Sequence, residues 1–111
     1  MKSANDYTIK QALPTLNYPR IRDLLSAILS LKNINETASF FHDLLTPQEL
    51  KSISNRWMAA RYLSNGNSYI KIAEKIKIST TTVTSVARGL NHGSGGLKLI
   101  LDLIHKNDSR A

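Results

Sequence analysis

Apolar residues recur at helical spacing through most of this chain, and strand-like alternation persists nowhere. That pattern predicts an all-α fold. In "RIRDLLSAILSLKN", Ile21, Leu24, Leu25, Ile28 and Leu31 fall on one stripe. The preceding "NYP" at 17–19 reads as a start signal, with Pro19 near the first helical turn. Asn35 is the expected cap of a short helix over "ETASFFHDLL", whose apolar content is Phe40, Phe41, Leu44 and Leu45.

The sharpest boundary is "LTPQEL". Thr46 suits the N-cap, Pro47 the first helical position and Glu49 the position three after the cap, a capping box locked by proline. The helix it opens is expected to reach about Ser64, with Leu50, Ile53, Trp57 and Ala60 facing inward. "NGN" at 65–67 ends it, because Gly66 can take the left-handed conformation. Further on, "NHGSGG" at 91–96 reads as a flexible loop. The last helix, "LKLILDLIHK", carries Leu97, Ile100, Leu101 and Ile104 on one side and Leu99 and Leu103 elsewhere, and residues 107–111 are expected to fray.

A single domain of 111 residues builds only a thin core. A last helix apolar on more than one face therefore suggests burial against a second copy. The expected organisation is an N-terminal arm over 1–18, a helical domain over 19–106 and a C-terminal tail over 107–111. The opening "MKSANDYTIKQ" has no apolar signal core, and no run approaches the ~20 apolar residues that span a bilayer. With no cysteine, disulfides and thiolate metal sites are excluded, and a cytoplasmic location is expected.

Fifteen Lys and Arg oppose eight Asp and Glu. Between Thr46 and His92, Lys51, Arg56, Arg61, Lys71, Lys75, Lys77 and Arg88 face only Glu49 and Glu74. That excess favours a polyanionic partner.

The stretch "SYIKIAEKIKISTTTVTSVARGL", residues 68–90, gives the charge a purpose. Ser68 can cap a helix on which Tyr69, Ile72, Ala73 and Ile76 share a face; "KIS" breaks the pattern, and Ser79 can cap a second helix. There Val83, Val86, Ala87 and Leu90 lie on one side, with Thr81, Thr84, Ser85 and Arg88 on the other. This is helix-turn-helix spacing, with the small Ala73 where two crossing helices touch. The turn usually holds glycine; here Lys77 stands in it, at a cost of roughly 1 kcal/mol for the left-handed conformation.

In such a motif the N-terminal end of the second helix enters the DNA major groove. Threonine is short, its hydroxyl donates or accepts, and its methyl can meet that of thymine. The expected DNA-binding residues are Ser79, Thr80, Thr81, Thr82, Thr84, Ser85 and Arg88, with Lys71 and Lys75 meeting the phosphate backbone. The alternative is a helical protein-interaction or RNA-binding module without sequence-specific DNA binding. RNA readers rely on aromatic stacking platforms, and the 6% aromatic content forms no such cluster. Catalysis requires convergent titratable groups. His42, His92 and His105 lie far apart, none at a metal-ligand spacing, and Asp102 with His105 reads as a helix-face ion pair. No enzyme activity and no metal are expected.

"LLTPQEL", the arginine in "ISNRW", the "SNGNSY" break and the helix-turn-helix together resemble the Trp repressor superfamily. "SYIKIAEKIKISTTTVTSV" followed by "RGLNHGSGGLKLIL" is similar to its YerC/YecD branch of Trp-repressor-like proteins, and the resemblance covers about residues 19–105. It implies an intertwined homodimer sharing terminal helices, with two recognition helices one DNA turn apart on a roughly palindromic operator. It also implies a DNA-binding transcriptional regulator, a repressor, with contacts from the first motif helix and from Thr80, Thr81, Thr82 and Thr84. A corepressor such as tryptophan would bind between the long central helix and the recognition helix. Thr46 and Arg56 match two ligand-contact positions. An ungapped match puts Ser85 where the second ligand arginine stands, and Arg88–Gly89 recovers the Arg-Gly pair with three extra residues.

Overall fold

The computed structural model describes residues 13–110 of the chain, with side chains through Asn107. The described residues are helical: a 3-10 turn over Pro14–Asn17, then α1 (Pro19–Leu29), α2 (Ile34–Leu44), α3 (Pro47–Ser64), α4 (Tyr69–Ile76), α5 (Thr80–His92) and α6 (Gly96–Arg110). They fall into two compact units, one ending at Ser52 and one starting at Ile53. The first twelve residues of the expected N-terminal arm lie outside the described chain.

In the first unit, Pro19 occupies the first turn of α1, as its fixed φ allows. The 3-10 turn ahead of it is an element the mixed composition of residues 13–18 did not reveal; Arg22 Nε donates to the Leu16 carbonyl at 3.2 Å. Asn33, not Asn35, caps α2. Its Oδ1 accepts from Glu36 N–H at 2.9 Å, and Glu36 Oε1 accepts from Lys32 N–H at 3.0 Å. Both Asn33 and Asn35 are able caps, but only Asn33 has a glutamate three residues on, whose carboxylate accepts from the N–H just ahead of the cap. The rings of Phe40 and Phe41 pair at 5.7 Å. Yet no described residue of this unit is buried, and Leu29 and Ile34 are 86% and 82% exposed.

At the head of α3, Glu49 N–H donates to Thr46 Oγ1 at 3.1 Å while Thr46 N–H donates to Glu49 Oε1 at 2.9 Å. The Thr46 N–H bond foremost, with the Thr46 hydroxyl adding to it, holds the Glu49 carboxyl below its ordinary range. The other end of α3 closes at Gly66, whose φ is +87°. Beyond it the Asn67 N–H reaches back to the Tyr62 carbonyl at 3.1 Å, satisfying an orphan acceptor.

The second unit holds the core. Ala59 and Ala60 of α3, Ile72 of α4, and Val83 and Val86 of α5 are buried against one another. Trp57, Tyr62, Leu63, Ala73, Ile76, Ile78 and Leu97 pack around them. Ala59 was not among the expected inward residues, and Leu50 and Ile53, which were, are exposed on the chain. Helical spacing marks a face but cannot say which neighbour covers it.

The loop expected at 91–96 is shorter in the structure. Asn91 and His92 remain in α5, and only Gly93, Ser94 and Gly95 link it to α6. Gly93 N–H still bonds the Gly89 carbonyl at 3.0 Å, so the helical ladder continues through the polar residues. A Cβ at Gly93 would collide with that same carbonyl. At the other end, α6 continues to Arg110. No described helix is long and apolar enough to cross a membrane.

Candidate nucleic-acid interface

Two serines start the two motif helices. Ser68 Oγ accepts from Lys71 N–H at 3.2 Å, and Ser79 Oγ accepts from Thr82 N–H at 3.1 Å. Each satisfies one of the orphan donors of a helix start. Between the helices, Lys77 takes φ +64° and ψ +50°, the left-handed conformation expected of the turn position. Its N–H and that of Ile78 both donate to the Ala73 carbonyl, at 2.8 and 3.1 Å, ending α4 sharply.

Helix α5 divides cleanly by side. Val83, Val86 and Ala87 are buried, whereas Thr80, Thr81, Thr84, Ser85 and Arg88 are exposed, as is the cap Ser79. Thr82 stands between these groups, half-buried, its hydroxyl 3.0 Å from that of Ser79. Thr84 Oγ1 donates to the Thr80 carbonyl at 2.9 Å. The result is a hydroxyl-bearing edge fixed by an aliphatic underside, with no acidic residue in the first turn of α5. That end offers free N–H groups and the positive pole of the helix dipole, both favourable to an anion.

On α4, Lys71 and Lys75 are exposed one turn apart. Lys75 Nζ sits 4.9 Å from the centre of the Tyr62 ring, a cation–π contact that limits where the ammonium can go. Tyr62 was absent from the expected site, and its only sequence signal was its place on α3 one helix away from the lysines. Tyr69, expected on the inner face of α4, is 42% exposed instead, because it stands in the first turn.

A cavity of about 330 Å³ opens between α3, α5 and α6, lined by Ile53, Arg56, Trp57, Ser85, Val86, Gly89 and Leu97. Of the expected ligand residues Arg56 lines it, with Ser85, which stands at the place of the second ligand arginine, beside it; Thr46 and Arg88 are not among the lining residues. Thr46 uses its hydroxyl as the α3 cap. Elsewhere, His42 Nδ1 lies 3.1 Å from its neighbour Asp43, both well exposed. Asp102 pairs with Lys106 at 3.5 Å, one turn along α6, in place of the expected His105.

Comparison with known proteins bears on this geometry. The family model described as Trp repressor protein matches residues 20–104. An uncharacterized protein, YerC of Bacillus subtilis (strain 168), is 38% identical over 88 residues, covering 79% of this chain and 85% of that one. The crystal structure of a TrpR-like protein from Eubacterium eligens ATCC 27750 superposes with a TM-score of 0.78 at 35% identity, over 84% of this chain and 96% of the other. A candidate Trp repressor from Staphylococcus aureus gives the same TM-score at 32% identity, over 86% and 96%.

Proposed function

Because the chain belongs to the Trp repressor family, a family of helical DNA-binding regulators, we propose that it is a sequence-specific transcriptional repressor that lays the head of α5 in the major groove. One observation carries this reading. The exposed edge of Thr80, Thr81, Thr84, Ser85 and Arg88 is backed by the buried Val83, Val86 and Ala87, so the edge is rigid before any partner arrives. Small hydroxyl side chains let the backbone approach base edges closely, and Arg88 can fork onto a guanine or a phosphate. Lys71 and Lys75 contact phosphates and set register, which gives affinity without sequence information.

The repressor acts in the cytoplasm as a homodimer. Support comes from the first unit, which exposes Leu24, Leu25, Leu29, Ile34 and Leu44 and fully buries none of its described leucines and isoleucines in the single chain. A second copy covering them would supply the core that residues 13–52 lack and bring two reading heads to one duplex.

A small-molecule corepressor such as tryptophan would enter the cavity of about 330 Å³ between α3, α5 and α6. Among the described residues Arg56 is the one guanidinium lining it, and Ser85 supplies a hydroxyl beside it. A carboxylate there would be held by a single fork. Calorimetry with the amino acids tests this: heat for tryptophan that Arg56→Ala removes supports it, and silence for all of them makes the protein a constitutive binder.

The experiment for the main reading is selection of bound sites from random duplexes, followed by titration at increasing salt. An enriched motif whose binding weakens with salt is the expected result. Equal binding to every duplex would leave a non-specific polyanion binder, and no binding would favour the protein-interaction module.

A further inference from the structure

Five threonine and serine hydroxyls at the head of α5, at positions 79–82 and 84, look interchangeable in the sequence, but the structure gives them different jobs. Ser79 and Thr82 spend theirs on each other and on the helix start. Thr84 spends its own on the backbone, donating to the Thr80 carbonyl at 2.9 Å. Thr80 and Thr81 are exposed and their hydroxyls take part in none of these bonds.

Threonine carries two groups on Cβ, a hydroxyl and a methyl. Once the hydroxyl of Thr84 is folded back on its own helix, its proton is committed. Threonine is stiff at this torsion, and the back-bond selects among its few allowed rotamers. The group left to face a partner is the methyl. Resting on the major-groove reading above, we propose that Thr84 is a specificity-determining residue that recognises the 5-methyl group of thymine in duplex DNA.

The chemistry matches one base. In the major groove only thymine presents a methyl, and an apolar contact to it is a recognised mode of readout. Thymine also presents an acceptor, O4, which the committed hydroxyl of Thr84 is not free to satisfy, whereas the Thr81 hydroxyl can donate to it. Neighbouring residues on the helix edge thus divide the task, Thr81 for a polar base edge and Thr84 for the methyl. An RNA partner is disfavoured, because uracil lacks the methyl and the A-form major groove is too narrow for side chains.

The test removes methyl groups from each side in turn. On a duplex chosen by selection, each thymine is replaced singly by deoxyuridine, which keeps the pairing edge and loses only the methyl. With the native protein, one position per half-site is expected to cost about fourfold in affinity, the worth of one buried methyl group. Thr84→Val keeps the methyl and drops the hydroxyl, and should leave that fourfold difference in place. Thr84→Ser does the reverse, and should bind thymine and uracil duplexes alike. Position 84 is exposed, so neither change threatens the core.

Persistence of the fourfold difference in Thr84→Ser, or its loss in Thr84→Val, overturns the proposal. Indifference to deoxyuridine at every position, on a duplex that is nonetheless selected, also overturns it and spares the major-groove reading. If no duplex is enriched at all, that reading falls and this one with it.

Discussion

Lys75 Nζ rests 4.9 Å from the centre of the Tyr62 ring, so α3 reaches across to steady a cation on α4. A lysine held over an aromatic face loses less freedom on meeting a phosphate than a free one. Lys75→Ala is expected to weaken binding to all duplexes alike and to lower the salt slope by ~0.9 for the lost phosphate contact. Lys71→Ala should behave the same way. Tyr62→Leu should reproduce part of the Lys75→Ala loss and add little to it in the double variant. Full additivity between the two, measured by titration at several salt concentrations, would show that the ring does not act through the lysine.

Thr81→Ala should relax sequence preference where the lysine variants do not. Direct base contact predicts a cost of ~1–3 kcal/mol on the preferred duplex and little on random sequence. Competition between the two duplexes reads the difference, and an unchanged ratio would move the reading face elsewhere.

Lys77 stands at φ +64°, where an L side chain costs energy and glycine does not. Lys77→Gly is expected to stabilise the fold by up to ~1 kcal/mol, offset in part by the greater freedom of an unfolded glycine. Thermal unfolding measures the gain. The same change removes a cation just ahead of α5, so duplex affinity should fall as stability rises.

The bond from Thr46 N–H holds Glu49 below its ordinary pKa of 4.5, with the hydroxyl contact adding to it. A depressed folded value means the capping contribution is complete above the unfolded pKa and is lost as pH falls through the folded one. Amides in the first turn of α3 should therefore lose protection, measured against their intrinsic exchange rates, as pH falls below the ordinary glutamate range. Glu49→Gln should flatten that dependence. Equal acid sensitivity in both proteins would assign it to another group.

A homodimer predicts an unfolding temperature that rises with protein concentration, and light scattering at twice the chain mass. A monomer at micromolar concentration would leave the exposed Leu29 and Ile34 without a partner.

Local chemistry explains what could be read from the sequence. Thr46–Pro47–Glu49, Ser68, Ser79, Gly66 and Lys77 each act within a few residues of themselves, and each does in the structure what its neighbours in the sequence require. Asn35 misled because two asparagines compete within one turn and only Glu36, bonded to both Asn33 Oδ1 and Lys32 N–H, separates them. Burial was harder to read. Ala59 is covered and Ile53 is not, yet both lie on helical apolar positions of α3. What decides between them is the neighbour each one meets, and no periodicity contains that. The site shows the same split. The hydroxyl edge of α5 was legible, whereas the Tyr62–Lys75 contact and the inward turn of the Thr84 hydroxyl depend on three-dimensional placement.

On α5, Thr82 stands half-buried between the buried Val83, Val86 and Ala87 that anchor the helix and the exposed residues of its outer edge. A vocabulary can therefore change while the grammar stays. Under the proposed reading, point substitutions along the outer rim would redirect such a protein to a new address while leaving the buried Val83, Val86 and Ala87 untouched.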